Sequence, residues 1–195
     1  MQNIKLYLLL FVLICSVNVS LAQDKTSIRP WQFHSINNIG LLEGQTGSSF
    51  QMQTINGVQY RSWFGGVGLG LDFYRFRTIP LFIDLRKEFG KSGNKAFVYA
   101  DAGTNFAWIS DNEKSAYLQN DKFSRGFYTD LGLGYKVAAG KNCHLVISLG
   151  YSFKKLTESY DTQVYFYNPI DDNTPYQEKI NYSLNRLSIK IGCFF

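Results

Sequence analysis

Residues 126–154 read GFYTDLGLGYKVAAGKNCHLVISLGYSFK. On the first arm Phe127, Thr129, Leu131, Leu133, Tyr135 and Val137 share one face. Gly126, Tyr128, Asp130, Gly132, Gly134 and Lys136 share the other. On the second arm Cys143, Leu145, Ile147, Leu149, Tyr151 and Phe153 alternate with His144, Val146, Ser148, Gly150, Ser152 and Lys154. A period of two on both sides of the short turn at 139–142 predicts two long β-strands with one apolar face.

The same pattern recurs on either side of this hairpin. From Trp63 to Phe76, Val67, Leu69, Leu71 and Phe73 oppose Gly66, Gly68, Gly70, Asp72 and Tyr74. From Pro80 to Phe89, Leu81, Ile83 and Leu85 oppose Phe82, Asp84, Arg86 and Glu88. From Lys95 to Trp108, Val98, Ala100, Ala102, Thr104, Phe106 and Trp108 oppose Tyr99, Asp101, Gly103 and Asn105. The last strand sets Leu187, Ile189, Ile191, Cys193 and Phe195 against Arg186, Ser188, Lys190 and Gly192. Two earlier strands are expected at Trp31–Glu43, where the alternation assigns no faces, and at Ser49–Ile55, with a loop at Gly44–Gly47 and a turn at Asn56–Gly57. The total is eight strands. The connections after strands 2, 4 and 6 are short, whereas Ser110–Lys122 and Thr157–Ile180 are long and fall at the opposite end. Short periplasmic turns and longer outer loops are the asymmetry of an outer-membrane barrel.

The N-terminus fits export. Lys5 precedes the apolar run Leu6–Cys15, and Ser20 and Ala22 are the small residues a signal peptidase reads, so residues 1–22 are expected to be a cleaved signal peptide. Ile14 before Cys15 argues against lipid attachment. Cleavage after Ala22 of the 195-residue chain leaves residues 23–195 as one domain, and removing Lys5 takes the formal charge from +5 to +4. So mild and diffuse a charge gives no reason to expect nucleic acid. The mature chain keeps Cys143 and Cys193, too few for a disulfide scaffold; they read either as small apolar side chains or as a joined pair.

Three features point the apolar stripe outward into lipid rather than inward as in a secreted lipocalin-like carrier. The polar stripe is rich in glycine, as a narrow lumen packed by alternating large and small residues requires. Its charges nearly cancel: Asp72, Asp84, Glu88, Asp101 and Asp130 stand against Arg86, Lys136, Lys154, Arg186 and Lys190. Inside a closed lumen these ten would form a pairing network, since an unpaired buried charge is costly. Aromatic residues also mark the strand ends, with Phe73, Phe106 and Trp108 at one end and Trp63, Phe89, Tyr135 and Phe195 at the other.

A signal peptide, eight alternating strands and the ending Cys193-Phe194-Phe195 resemble the small OmpA/OmpX-type outer-membrane barrels. The resemblance implies an all-β, eight-stranded antiparallel up-and-down transmembrane barrel in a Gram-negative-type outer membrane. It also implies that Leu187, Ile189, Ile191 and Phe195 form the signal read by the barrel-assembly machinery during biogenesis.

Chemistry has little support. Gly66-Val67-Gly68-Leu69-Gly70 lies inside a strand with no helix after it, so it is not a dinucleotide fingerprint. Two histidines without Cys/His spacing give no metal site, Asp171-Asp172-Asn173 reads as a solvated turn, and no cofactor is implied. A lipid A acyl-modifying enzyme would need nucleophile and base within reach of each other. His34 and Ser35 are consecutive and so face opposite sides, while His144 and Ser148 share the predicted lumen, so no catalytic residue is assigned. The expectation is a monomer in outer-membrane lipid and lipopolysaccharide, with a structural or surface-interaction role. An extracellular ligand of unspecified kind would meet loops 110–122 and 157–180, through Tyr160, Tyr165, Phe166, Tyr167 and Tyr176.

Overall fold

The computed structural model describes residues 31–45, 47–74, 76–90, 93–108, 119–140, 143–162 and 176–195. The predicted signal peptide and the loop residues Tyr165, Phe166 and Tyr167 lie outside them. The strands are β1 (Trp31–Gly44), β2 (Gly47–Tyr60), β3 (Trp63–Phe73), β4 (Arg77–Phe89), β5 (Lys95–Ala107), β6 (Gln119–Ser124), β7 (Gly126–Ala138), β8 (His144–Thr162) and β9 (Tyr176–Phe194). Each pairs antiparallel with its neighbour, and β9 pairs with β1 to close the sheet. β6 and β7 both pair with β8, Ser124 opposite Thr157 and Tyr128 opposite Lys154, so they act as one strand interrupted at Arg125. The closed barrel therefore has eight strands.

Its stagger follows from the register. A line of directly opposed residues runs Phe33, Val58, Gly65, Leu85, Ala100, Leu131, Tyr151 and Leu187, then meets β1 again at Glu43, ten residues beyond its start. Strands in such a barrel tilt, and an eight-stranded interior is just wide enough for side chains to fill.

The structure corrects several sequence-based boundaries. Asn56 and Gly57 are not a turn; they sit inside β2, paired with Ser35 and His34. Gly57 is there because its backbone lies against β3: a Cβ would come within 2.5 Å of Gly66 Cα and 2.8 Å of the Phe64 ring. The turn falls at Arg61–Ser62, with Arg61 in the left-handed region at φ 55°. Strand β6 starts at Gln119, inside the stretch expected to be loop 110–122. Likewise β8 runs on to Thr162 and β9 starts at Tyr176, so the expected loop 157–180 is largely a hairpin stem.

The connections after β2, β4 and β7 define a turn end, where the chain also finishes; those after β1, β3, β5 and β8 define a loop end. Strand β1, whose faces the sequence left open, directs Ile36, Asn38 and Leu42 inward. From β3 onward the apolar stripe is outside, as expected. Leu133 is 62% exposed and Ile83 67%, while Asp84, Asp101, Asp130 and Lys154 are fully buried.

Candidate functional site: the charged lumen

Strand alternation puts every second side chain inside, and the stagger decides which of them meet. The lumen is packed first by rings. Ile36, Ile55, Phe64, Phe82, Phe97, Tyr99, Tyr128, Val146 and Phe194 form one buried cluster. The glycines of the inward stripe make room for these rings. Gly68 is directly opposite Phe82, Gly134 opposite Phe97 and Gly132 opposite Tyr99, and a Cβ on any of the three would collide with a ring atom of its partner. The glycine-rich stripe and the aromatic core are thus one device, a ring on one strand lying over a glycine on the next.

The ten ionisable residues expected in the lumen are all buried, and the structure sorts nine of them into three clusters. In the middle, Asp84, Asp101 and Asp130 are directly opposite one another on β4, β5 and β7. The Arg86 guanidinium donates to both Asp84 oxygens, at 2.8 and 2.9 Å. Lys190 Nζ reaches Asp130 at 3.1 Å and Asp101 at 3.6 Å. The Tyr99 hydroxyl donates to Asp130 at 2.9 Å, and Ser188 does so at 3.0 Å.

Toward the loop end, Lys154 Nζ lies 2.5 and 2.6 Å from the two Asp72 oxygens and 2.6 Å from Thr78 Oγ1. The Tyr74 ring sits 4.3 Å from the same ammonium. Toward the turn end, Glu88 accepts from Lys136, from Lys95 at 2.8 Å and from Gln59 at 3.0 Å. Lys136 also lies 4.1 Å from the centre of the Phe194 ring. The tenth residue, Arg186, binds backbone at the loop end, donating to the carbonyls of Leu42 at 3.1 Å, Tyr74 at 2.7 Å and Gly47. Charges that have left water are held only where partners and hydrogen bonds replace it.

Phe194 was not singled out by the sequence. Its ring plugs the turn end between His34, at 4.5 Å, and His144, at 6.1 Å. Burial of the residue just before the outward Phe195 was the only signal available, and alternation carries it. His34 Nδ1 bonds the Phe195 carbonyl at 2.7 Å, so that ring is engaged with the chain end. His144 packs on Phe194, and Ser148 is buried in the lumen facing Lys190 across the strands. Among the described residues no group of three or more His, Cys, Asp or Glu side chains is arranged to hold a metal ion. Cys143 and Cys193 are free thiols at the turn end, Cys193 opposite Leu145.

At the loop end the stem of β8 and β9 stands beyond the last rung of β1, which pairs Glu43 with Leu187. Tyr160 lies opposite Glu178 on this stem and donates to its carboxylate at 2.6 Å, a bond that raises the phenol above its usual pKa. The Tyr176 backbone pairs with Thr162 at the stem's upper end. Phe76 packs at 5.4 Å on both Phe123 and Tyr182, an aromatic lid that sequence patterning did not reveal. Leu187, Ile189, Ile191 and Phe195 form one exposed stripe on the outer face.

The crystal structure of the outer-membrane protein OprG from Pseudomonas aeruginosa is similar, with a TM-score of 0.54 and 12% identity over 83% of this chain and 94% of that one. Neisserial surface protein A matches with a TM-score of 0.49 and 14% identity over 85% of this chain and 96% of that one. No protein-family model matches the chain, and no curated protein does. The fold is that of the small eight-stranded outer-membrane barrels.

Proposed function

We propose that the protein is an integral outer-membrane barrel whose lumen is a sealed structural core and whose loop end is a contact surface. The observation that carries this reading is the inverted burial. Ten ionisable side chains are inside, while Val67, Leu69, Ile83, Leu131, Leu133, Ile147 and Ile189 ring the outside. In water such a belt would be far larger than the apolar patches soluble proteins expose. In hydrocarbon the closed sheet satisfies every rung and presents no edge. A carrier of apolar ligands would want the reverse arrangement, with charges outside.

Short turns are the periplasmic feature of such barrels, which supports reading the turn end as periplasmic and the loop end as exterior. The stem of β8 and β9 then projects from the outer surface. It offers Tyr160 and the backbone of Tyr176 to partners, with the loop it carries as the remaining contact surface. The stripe ending at Phe195 is the proposed assembly signal, and the lumen network fixes the barrel rather than conducting.

Envelope fractionation with a gel comparing boiled and unboiled samples tests the reading. The expected result is a detergent-extracted band that shifts on heating; a soluble band without a shift overturns it. Arg86→Met tests the lumen's role, because it leaves Asp84 without its bidentate partner. The expected outcome is a barrel less stable by about 3–5 kcal/mol in urea unfolding, with unchanged envelope permeability to small solutes. Changed permeability at unchanged stability would assign the network to conduction.

A further inference from the structure

Two cysteines lie together at the turn end, on the outer wall. Cys15 belongs to the expected signal peptide, so Cys143 and Cys193 are the thiols of the mature chain. The last rung between β8 and β9 pairs His144 with Phe194, and the next pairs Leu145 with Cys193. Cys143 stands one residue beyond that last rung, where its carbonyl accepts from Ala139 N at 3.0 Å and closes the turn after β7. His144 and Phe194 lie on the lumen face, so alternation turns Cys143 and Cys193 outward as diagonal neighbours on the opposite face. The two free thiols are in hydrogen-bonding contact with each other. Exposure marks the same pair. Leu187, Ile189, Ile191 and Phe195, the other outward residues near the end of β9, are exposed, whereas Cys193 and Cys143 are both partly covered. Side chains that merely face lipid need no partner; these two meet at the rim.

We propose that Cys143 and Cys193 are a site of oxidative modification, joined in the exported protein by a disulfide that staples β9 to the turn before β8. The proposal rests on the outer-membrane reading and on its orientation, which opens the turn end to the oxidising periplasm. The oxidant is a protein disulfide of that compartment. The Cys143 thiolate, nearer the turn, attacks one sulfur of that disulfide and displaces the other as a thiolate. The Cys193 thiolate then attacks Cys143 Sγ in the mixed disulfide and releases the oxidant's second sulfur. Two thiols thus lose two protons and two electrons, one sulfur–sulfur bond forms in this chain, and the oxidant leaves as a dithiol. The bridge encloses residues 143–193, the whole β8–β9 hairpin, and so restricts the unfolded chain. It also secures the end of the strand that closes the sheet. Phe194, next to Cys193, plugs the turn end, and Phe195 exchanges backbone bonds with Ser35 at 2.9 and 3.2 Å. Because both cysteines are outside the wall, joining them leaves the lumen network untouched.

The test uses the full chain exported to the envelope, with heat-shifting on gels as proof of the barrel. Cells are quenched in acid, the protein is denatured so that no thiol is hidden, and an alkylating maleimide is added before or after reduction. The expected result is that wild type takes up no maleimide until it is reduced. Mass spectrometry of the unreduced protein should then find the peptides of Cys143 and Cys193 linked and lighter by two hydrogens. Cys143→Ser and Cys193→Ser should each leave one thiol that is labelled without reduction. Reduction should lower the urea midpoint of wild type, by about a hundredfold in the folding equilibrium, and leave that of Cys143→Ser/Cys193→Ser unchanged. Full labelling of both thiols in unreduced wild type overturns the bridge, and so does a disulfide-linked dimer in its place. A bridged wild type whose midpoint ignores reduction overturns the staple. Free thiols in a heat-shifting barrel remove the bridge alone, whereas a soluble protein without a heat shift removes the membrane reading whatever its thiols do.

Discussion

The middle and the turn end of the lumen solve the problem of buried charge in opposite ways. At the turn end one carboxylate, Glu88, is shared by two lysines, and one of them, Lys95, is 30% exposed. In the middle three carboxylates, Asp84, Asp101 and Asp130, face two cations, Arg86 and Lys190, with every side chain out of contact with solvent or nearly so. One cluster has a surplus cation that reaches the mouth, and the other has a surplus carboxylate with no such exit. The difference teaches that the balance of the lumen is a property of the whole barrel, while the local imbalance is greatest where water is farthest away. Stability should therefore depend more steeply on the middle cations than on those at the turn end.

The sharpest way to break that contrast is Lys190→Met. The ammonium is the cation shared by Asp101 and Asp130, and Arg86 is already committed to Asp84. Removing one member of a buried charge cluster typically costs about 3–5 kcal/mol, most of it from the partner left behind. Urea unfolding of the refolded barrel in lipid vesicles should show a loss of that size, or no heat-shifted form at all. A loss under about 1 kcal/mol would mean the middle cluster is as well served without Lys190 as the turn end is without one of its lysines.

The same contrast explains which parts of the molecule were legible in the sequence. Period-two alternation reads inward from outward on any single strand, so Asp84, Asp101, Asp130 and Lys190 were recognisable as lumen residues. Their pairing was not, because Asp72 meets Lys154 across 82 positions of chain and only the ten-residue stagger decides that. Strand β1 resisted reading because its inward face is partly apolar, with Ile36 and Leu42 buried, while Asn37 points out. Gly57 misled for a different reason: a glycine after asparagine signals a turn, but here it permits close approach of two strands.

At the turn end the comparison predicts a milder response. Lys136→Met removes one lysine from Glu88 but leaves Lys95 at 2.8 Å and Gln59 at 3.0 Å. The carboxylate keeps two donors and a path to solvent along Lys95. The expected cost is about 1 kcal/mol, with part of it from the lost contact with the Phe194 ring. Measured beside Lys190→Met under the same conditions, it should be the smaller loss by at least a factor of about two. Equal losses would show that exposure of Lys95 does not relieve the turn end.

Asp101→Asn tests the surplus carboxylate itself and should have the smallest effect. Asp101 has no hydrogen-bond partner for either oxygen among the described residues, and the lysine it pairs with, Lys190, is closer to Asp130. It also lies directly opposite a carboxylate on each side, an arrangement that disfavours like charges. The amide has the same shape, removes the excess charge and supplies two donors to Asp84 and Asp130. Stability should be unchanged or higher by up to about 1 kcal/mol. Combined with Lys190→Met, the same substitution should recover part of the lysine's loss, because fewer carboxylates are then left without a cation. A clear loss in the single variant, with no recovery in the double, would mean that Asp101 is the residue Lys190 chiefly serves. The middle cluster would then be balanced around Asp101 rather than burdened by it.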